Sequence, residues 1–89
     1  AQHMITLEGH RLELSPTEFD LLAYLAQKAP CVVTPRELVQ QVQGYDCDRY
    51  EAGDIVRHHI HRIRQKAQAC GGSSSFIRTV RGVGYALDT

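Results

Sequence analysis

Between Ile55 and Gln68 the chain places Arg57, His58, His59, His61, Arg62, Arg64 and Lys66 without one acid among them. Guanidinium and imidazole groups bind phosphate oxygens and purine edges. At about 100° per residue, Arg57, His61 and Arg64 share one helical face, with His58 and Arg62 beside them. Val56, Ile60, Ile63 and Ala67 fall on a separate narrow stripe that a core must cover. His59 lies at the edge of that stripe and reads as part-buried. A solvated helix face normally mixes charge signs, and this one does not. A second basic point follows at Arg78-Thr79-Val80-Arg81-Gly82. There Gly82 and Gly84 permit a tight turn and close backbone approach. An arginine at the tip of such a hairpin suits a narrow, electronegative minor groove.

Other chemistries fit less well. His58 and His61 sit three apart on one helix, but a zinc site needs at least a third protein ligand. Cys47 and Cys70 are candidates only through folding, and no C-x-x-C or H-x₃-H spacing is present, so no metal is expected. Arg81-Gly82-Val83-Gly84-Tyr85 lacks the helix that a phosphate cradle requires. The acids Asp46, Asp48 and Glu51 lack the glycine and spacing of a calcium loop. No base stands beside Ser15 or Ser73 to Ser75. The chain therefore does not read as an enzyme, and no cofactor is expected.

Formal net charge is zero, yet the charge is divided. Ala1 to Asp54 holds four Lys and Arg against nine Asp and Glu, a net of −5. Ile55 to Thr89 holds six basic residues against one acid, a net of +5. A basic C-terminal third is the electrostatic footprint of a polyanion binder. The 89 residues suffice for one small domain with a modest core. No apolar run approaches the roughly 20 residues of a membrane span, and no secretory pattern opens the chain. Cys31, Cys47 and Cys70 are odd in number, which suits a reducing, cytoplasmic setting and three small, partly buried hydrophobes.

The elements that must position these groups follow from caps and periodicity. Ile5-Thr6-Leu7-Glu8 and Arg11-Leu12-Glu13-Leu14 alternate around Gly9-His10, which predicts a hairpin. Ser15-Pro16-Thr17-Glu18 is a capping box, and Phe19, Leu22, Leu25 and Ala26, widened by Leu21, give a helix ending near Lys28 before Pro30. Cys31-Val32-Val33 is a short β-like run. Thr34-Pro35-Arg36-Glu37 starts a second helix, with Leu38 and Val42 inward, that stops near Gly44. Gln43 to Gly53 is polar, acidic and aromatic and reads as a loop. A third helix is expected over about 54–69, with Asp54 at its start. Gly71-Gly72-Ser73-Ser74-Ser75 reads as a flexible connector. A last hairpin joins Phe76–Val80 to Val83–Leu87 around Arg81-Gly82. The expected domain is 5–87, with Ala1 to Met4 a cloning remnant.

Leu14-Ser15-Pro16-Thr17-Glu18-Phe19-Asp20-Leu21-Leu22, Val33-Thr34-Pro35-Arg36-Glu37-Leu38, the helix from Val56 to Lys66 and the run Ile77 to Tyr85 carry a resemblance. Over about Ile5 to Leu87 the chain resembles the C-terminal effector domain of OmpR/PhoB-type two-component response regulators. The TVRGxGY run at Thr79 to Tyr85 is its most specific signal. The resemblance implies an α+β winged helix-turn-helix: an N-terminal β-hairpin, three helices and a C-terminal β-hairpin wing. It implies sequence-specific binding of double-stranded DNA for transcription regulation. The third helix would enter the major groove, with Arg62 and Arg64 toward bases or nearby phosphates and His59 and His61 on the backbone. Thr79, Arg81 and Tyr85 would be the wing contacts. Gln43, Tyr45, Asp46, Asp48 and Tyr50 match a segment implicated in contact with RNA polymerase. It also implies a homodimer on direct repeats, driven by phosphorylation of a receiver domain absent from this chain. Three positions depart from the pattern: Gln43 replaces a large aromatic, Ile55 a threonine and Arg57 an acid. They support a competing reading, a winged-helix module that binds a protein partner rather than DNA.

Overall fold

The computed structural model describes residues 4–7, 10–71 and 76–87. In chain order these form β1 (Met4–Leu7), β2 (His10–Glu13), α1 (Pro16–Lys28), α2 (Pro35–Gln43), α3 (Arg49–Ala69), β3 (Ile77–Val80) and β4 (Gly84–Leu87). β1 and β2 pair antiparallel, with Met4 opposite Glu13 and Leu7 opposite His10. Met4 and His10, expected outside the strands, thus lie within them. The hairpin's turn, like the connector 72–75, lies outside the described residues.

Each helix starts at a polar cap. The Ser15 hydroxyl accepts from the Glu18 N–H at 3.2 Å, and the Glu18 carboxylate accepts from the Ser15 N–H at 3.0 Å. Two of the orphan donors at the helix start are thereby satisfied. The Thr34 hydroxyl accepts from the Glu37 N–H at 3.2 Å to start α2. α3 departs from expectation. Its N-cap is Asp48, which accepts from the N–H groups of Tyr50 at 2.9 Å and Glu51 at 2.8 Å. The helix therefore begins five residues before Asp54. The expected loop Gln43 to Gly53 contracts to 44–48, since Gln43 ends α2 and Tyr50 and Gly53 lie inside α3. A helical glycine costs about 1 kcal/mol against alanine. The cap and the burial of Ala52, which is 0% exposed, outweigh it.

The core sits between the three helices. Val56, Ile60, Ile63 and Ala67 are all buried, as their spacing predicts, and Ala52 extends the stripe by one turn. Leu21, Leu22 and Leu25 of α1 and Leu38 and Val39 of α2 meet that stripe. Leu12 and Leu14 close it from the first hairpin, and Ile77 from the wing. Ala26 is exposed and Phe19 half-buried, so the inward face of α1 is centred on Leu21 rather than on the expected 19-22-25-26 line. Cys31 and Cys70 are exposed, against expectation, and only Cys47 is half-buried against the core. The Cys70 thiol donates to the Arg11 carbonyl at 3.3 Å. Among the described residues no helix is long and apolar enough to cross a membrane.

β3 and β4 pair antiparallel, with Val80 opposite Gly84, and Val33 adds a third, single-residue strand. The Val33 N–H donates to the Tyr85 carbonyl at 2.8 Å, and the Tyr85 N–H donates to the Val33 carbonyl at 3.0 Å. This junction dictates Gly84, because a Cβ there would lie 2.0 Å from the Val33 oxygen. Gly82 turns the tip at φ +73°, a conformation side chains disfavour.

Two stability outcomes follow. Ile63→Ala should lower stability by about 2–5 kcal/mol through a cavity at the centre of the stripe, read as a shift in the denaturation midpoint. Gly84→Ala should cost about 1–3 kcal/mol, because backbone must move to admit the methyl group. It should also speed hydrogen exchange at the Tyr85 amide, and an unchanged rate there would show that the Val33 junction does not need glycine.

Candidate nucleic-acid interface

α3 presents two faces. Behind it lies the buried stripe. In front, Arg57, His58, His61 and Arg62 are exposed along successive turns. His59 is half-buried, as expected, and burial is the main cause that pushes its imidazole below the ordinary value. The neighbouring His58, whose ring centroid lies 5.9 Å away, acts in the same direction. His59 therefore favours its neutral form.

The basic groups are not equally free. Arg57 pairs with Asp54 one turn back, both exposed. Arg62 directs its Nε at the Glu18 carboxylate, 3.5 Å away, and its side chain remains 55% exposed. Arg64 differs most from expectation. Its guanidinium donates to the Ile77 carbonyl at 2.9 Å and to the Thr79 hydroxyl at 3.0 Å. It is half-buried and ties α3 to the wing, rather than pointing outward beside Arg57 and His61. Thr79 itself is exposed, and Tyr85 is half-buried against the core. Arg81 is exposed at the wing tip.

A cleft separates the wing from the first turns of α2 and α3. Arg36, Arg49, Arg57 and Arg81 line it, with Thr34, Gln40, Tyr50, Thr79 and Tyr85. Glu37 and Asp46 are its acids. Arg36 pairs with Asp46 at 3.2 Å, and the Arg49 guanidinium lies 5.1 Å from the Tyr50 ring centroid. Tyr50 is 73% exposed. Arg36 and Arg49 were missed in the sequence. The available signal was Asp48 followed three residues later by Glu51, the same punctuation that starts α1, which would have put Arg49 on α3. Of the proposed polymerase segment, Gln43, Tyr45, Asp46 and Asp48 are exposed, but Asp46 is held by Arg36 and Asp48 caps α3. Tyr50 belongs to the cleft. Among the described residues no three His, Cys, Asp or Glu side chains gather into a metal site.

Glu18 was also missed as more than a cap. Its side chain is 2% exposed, yet charged groups reach it from α3. Lys66 lies 2.6 Å from its Oε1, and Arg62 approaches its Oε2. Burial raises the pKa of such a carboxyl. The Lys66 ammonium and the Ser15 N–H oppose that, and the net result lies below the ordinary carboxylate value.

Three helices, a helix-turn-helix formed by α2 and α3, and a β-hairpin closing behind them make this a winged-helix domain. Residues 9–87 match the family described as "Transcriptional regulatory protein, C terminal", and the chain belongs to that family. It is 39% identical over 85 residues to the response regulator SaeR of Staphylococcus aureus, covering 96% of this chain and 36% of SaeR. It thus spans about a third of that relative's length. The DNA-binding domain of CpxR from E. coli superposes with a TM-score of 0.77 at 32% identity, over 96% of this chain and 81% of that one. The DNA-binding domain of Klebsiella pneumoniae RstA, solved in complex with the RstA box, gives 0.76 at 29% identity, over 94% and 81%.

The lowered Glu18 pKa makes acid stability a test of its burial. A carboxyl whose folded pKa lies below its unfolded value of about 4.3 stabilises fully above that value. That contribution is lost as pH falls through the lower folded value. Melting curves should show the advantage of the wild type over Glu18→Gln holding steady from about pH 7 to about pH 5 and shrinking as pH falls below about 4.3. A difference that stays constant with pH would mean that the folded carboxyl is not charge-paired.

Proposed function

We propose that this domain binds double-stranded DNA in a sequence-specific manner and regulates transcription as the output domain of a cytoplasmic two-component response regulator. The observation that carries the reading is the basic front of α3, continued by Arg36, Arg49 and Arg81 across the cleft to the wing tip. The DNA-bound RstA domain, similar in fold and sequence, supports it.

In this reading α3 lies in the major groove, with Arg62, His58 and His61 toward base edges and phosphates. One phosphodiester strand passes through the cleft, near Arg36, Arg49 and Arg57, and Arg81 reaches the adjacent minor groove. Arg57 leaves Asp54 at little loss, since an exposed ion pair is worth about 0–1 kcal/mol. Arg64 positions the wing. His59, half-buried and favouring its neutral form, acts as a hydrogen-bonding group at the backbone. Two copies bind direct repeats, with a receiver domain supplying the phosphorylation signal. Gln43, Tyr45, Asp46 and Asp48 offer an exposed, acidic rim to RNA polymerase.

A second reading is a winged helix that docks on a protein partner. It is favoured by a specific observation: Arg57, Arg62 and Arg64 are each engaged within the domain.

Selection of bound duplexes from a random pool at low salt separates the two. Enrichment of a short motif, lost in Arg62→Ala/Arg81→Ala, is the expected outcome. Affinity for that duplex should fall steeply with salt, with a log–log slope of about −0.9 for each phosphate neutralised. Equal recovery by wild type and double variant, at every salt concentration, would favour the protein-docking reading.

A further inference from the structure

Glu18 carries one charge and faces two cations. The Lys66 ammonium sits 2.6 Å from Oε1, which also accepts from the Ser15 N–H at 3.0 Å. The Arg62 Nε is 3.5 Å from Oε2. The two cations are not equivalent. Lys66 is close and 35% exposed, whereas Arg62 is looser and 55% exposed, on the front of α3. Arg62 and Lys66 are four residues apart and so lie on one side of the helix. A buried carboxylate stripped of every partner is strongly destabilising, but one close cation with a backbone donor satisfies it. One of the two cations is therefore surplus to the fold, and the distances identify it as Arg62.

We propose that Glu18 and Lys66 form the resident pair, and that Arg62 is a detachable third member. In the free domain Arg62 rests on Glu18; on DNA it transfers to a phosphate or base edge. Lys66 is a positioning residue that makes the transfer possible, because Glu18 keeps a cation when Arg62 leaves. Without Lys66, Arg62 becomes the sole counter-charge of a buried carboxylate and is withheld from DNA. His59, half-buried beside this group, feels both Glu18 and Arg62 and favours its neutral form, so it does not replace Lys66 as the counter-charge. This inference rests on the DNA-binding reading and names which arginine must move for it.

The test is a double-variant cycle combined with side-chain NMR. The probe is the duplex recovered by selection or, if none is recovered, a mixed-sequence duplex at low ionic strength. Lys66→Met should weaken binding about five- to tenfold, within the range of couplings between contacting charges. Adding Glu18→Gln should restore it, because a neutral amide no longer holds Arg62. A lysine that simply touched a phosphate would show the same loss without the restoration. In the wild type, the Arg62 Nε–H resonance, assigned with Arg62→Lys, should shift on adding DNA, and in the free domain it should already differ in Glu18→Gln. Binding is read well below each variant's melting temperature. Where a variant does not fold, the wild-type resonance decides. Wild-type binding with an unmoved Arg62 signal, an unaffected Lys66→Met or an unrestored double variant would overturn the inference and leave the DNA reading intact. A wild type that binds neither duplex would overturn both.

Discussion

A helix that must offer one face to a partner can be held only from behind. In the proposed DNA-binding mode that constraint falls on α3, the longest element, against which the other helices, the first hairpin and the wing pack. Five residues, Ala52, Val56, Ile60, Ile63 and Ala67, are each 1% exposed or less and run its full length. Burial of a whole isoleucine or valine side chain is worth about 1.5–3 kcal/mol. The rear of α3 thus supplies a substantial share of the apolar burial that offsets the entropy of ordering the chain. It also frees the front. Because the stripe carries the packing, the front-facing side chains do not have to pack, and Arg57, His58, His61 and Arg62 remain exposed.

The polar links around α3 divide by burial. Arg57 with Asp54 and Arg36 with Asp46 are exposed pairs of small net value, and they anchor nothing. Arg64 is different. Its bonds to Ile77 and Thr79 run from the helix to the first strand of the wing, while Val33 holds the second strand through the Tyr85 backbone. The wing is therefore gripped from two sides, one grip in α3 and one just before α2. Glu18 makes a third link, from the start of α1 to the far half of α3. Its single carboxylate closes a cap and meets a lysine, which is why burial does not neutralise it.

Much of this was legible in the sequence. Ser15 to Glu18 and Thr34 to Glu37 announced two helix starts, and the 3-4 spacing of Val56, Ile60, Ile63 and Ala67 named the core face. The glycines of the wing were read as allowing a tight turn and close approach, and both occur at the positions named. The start of α3 was obscured because Gly53 and the polar run before it resemble a loop, although the Asp48 cap overrides that local preference. Arg64 could not be placed by helical geometry alone. A wheel says which way a side chain leaves the helix, but not that the wing returns beside it. Glu18 was hidden for the same reason, since its partners lie 44 and 48 residues away, beyond any local pattern.

These links bear on how a domain with no net charge can hold a polyanion. Total charge sets long-range attraction, whereas a binding face responds to charges within about 8–10 Å at moderate salt. Among the acids nearest the basic face, Glu18 is buried and matched by Lys66, Asp54 is matched by Arg57, and Asp46 by Arg36. Glu37 is bonded by the Tyr24 hydroxyl. With these acids matched, the cleft and the front of α3 are more positive than the net charge of zero suggests. Removing cations from those acids on binding has unequal consequences. Asp54 and Asp46 are exposed, and water replaces the arginine. Glu18 is buried, and only Lys66 can. In the proposed binding mode, and among the described residues, the buried Glu18–Lys66 pair thus stays behind the DNA-facing side while the exposed, replaceable pairs lie on it.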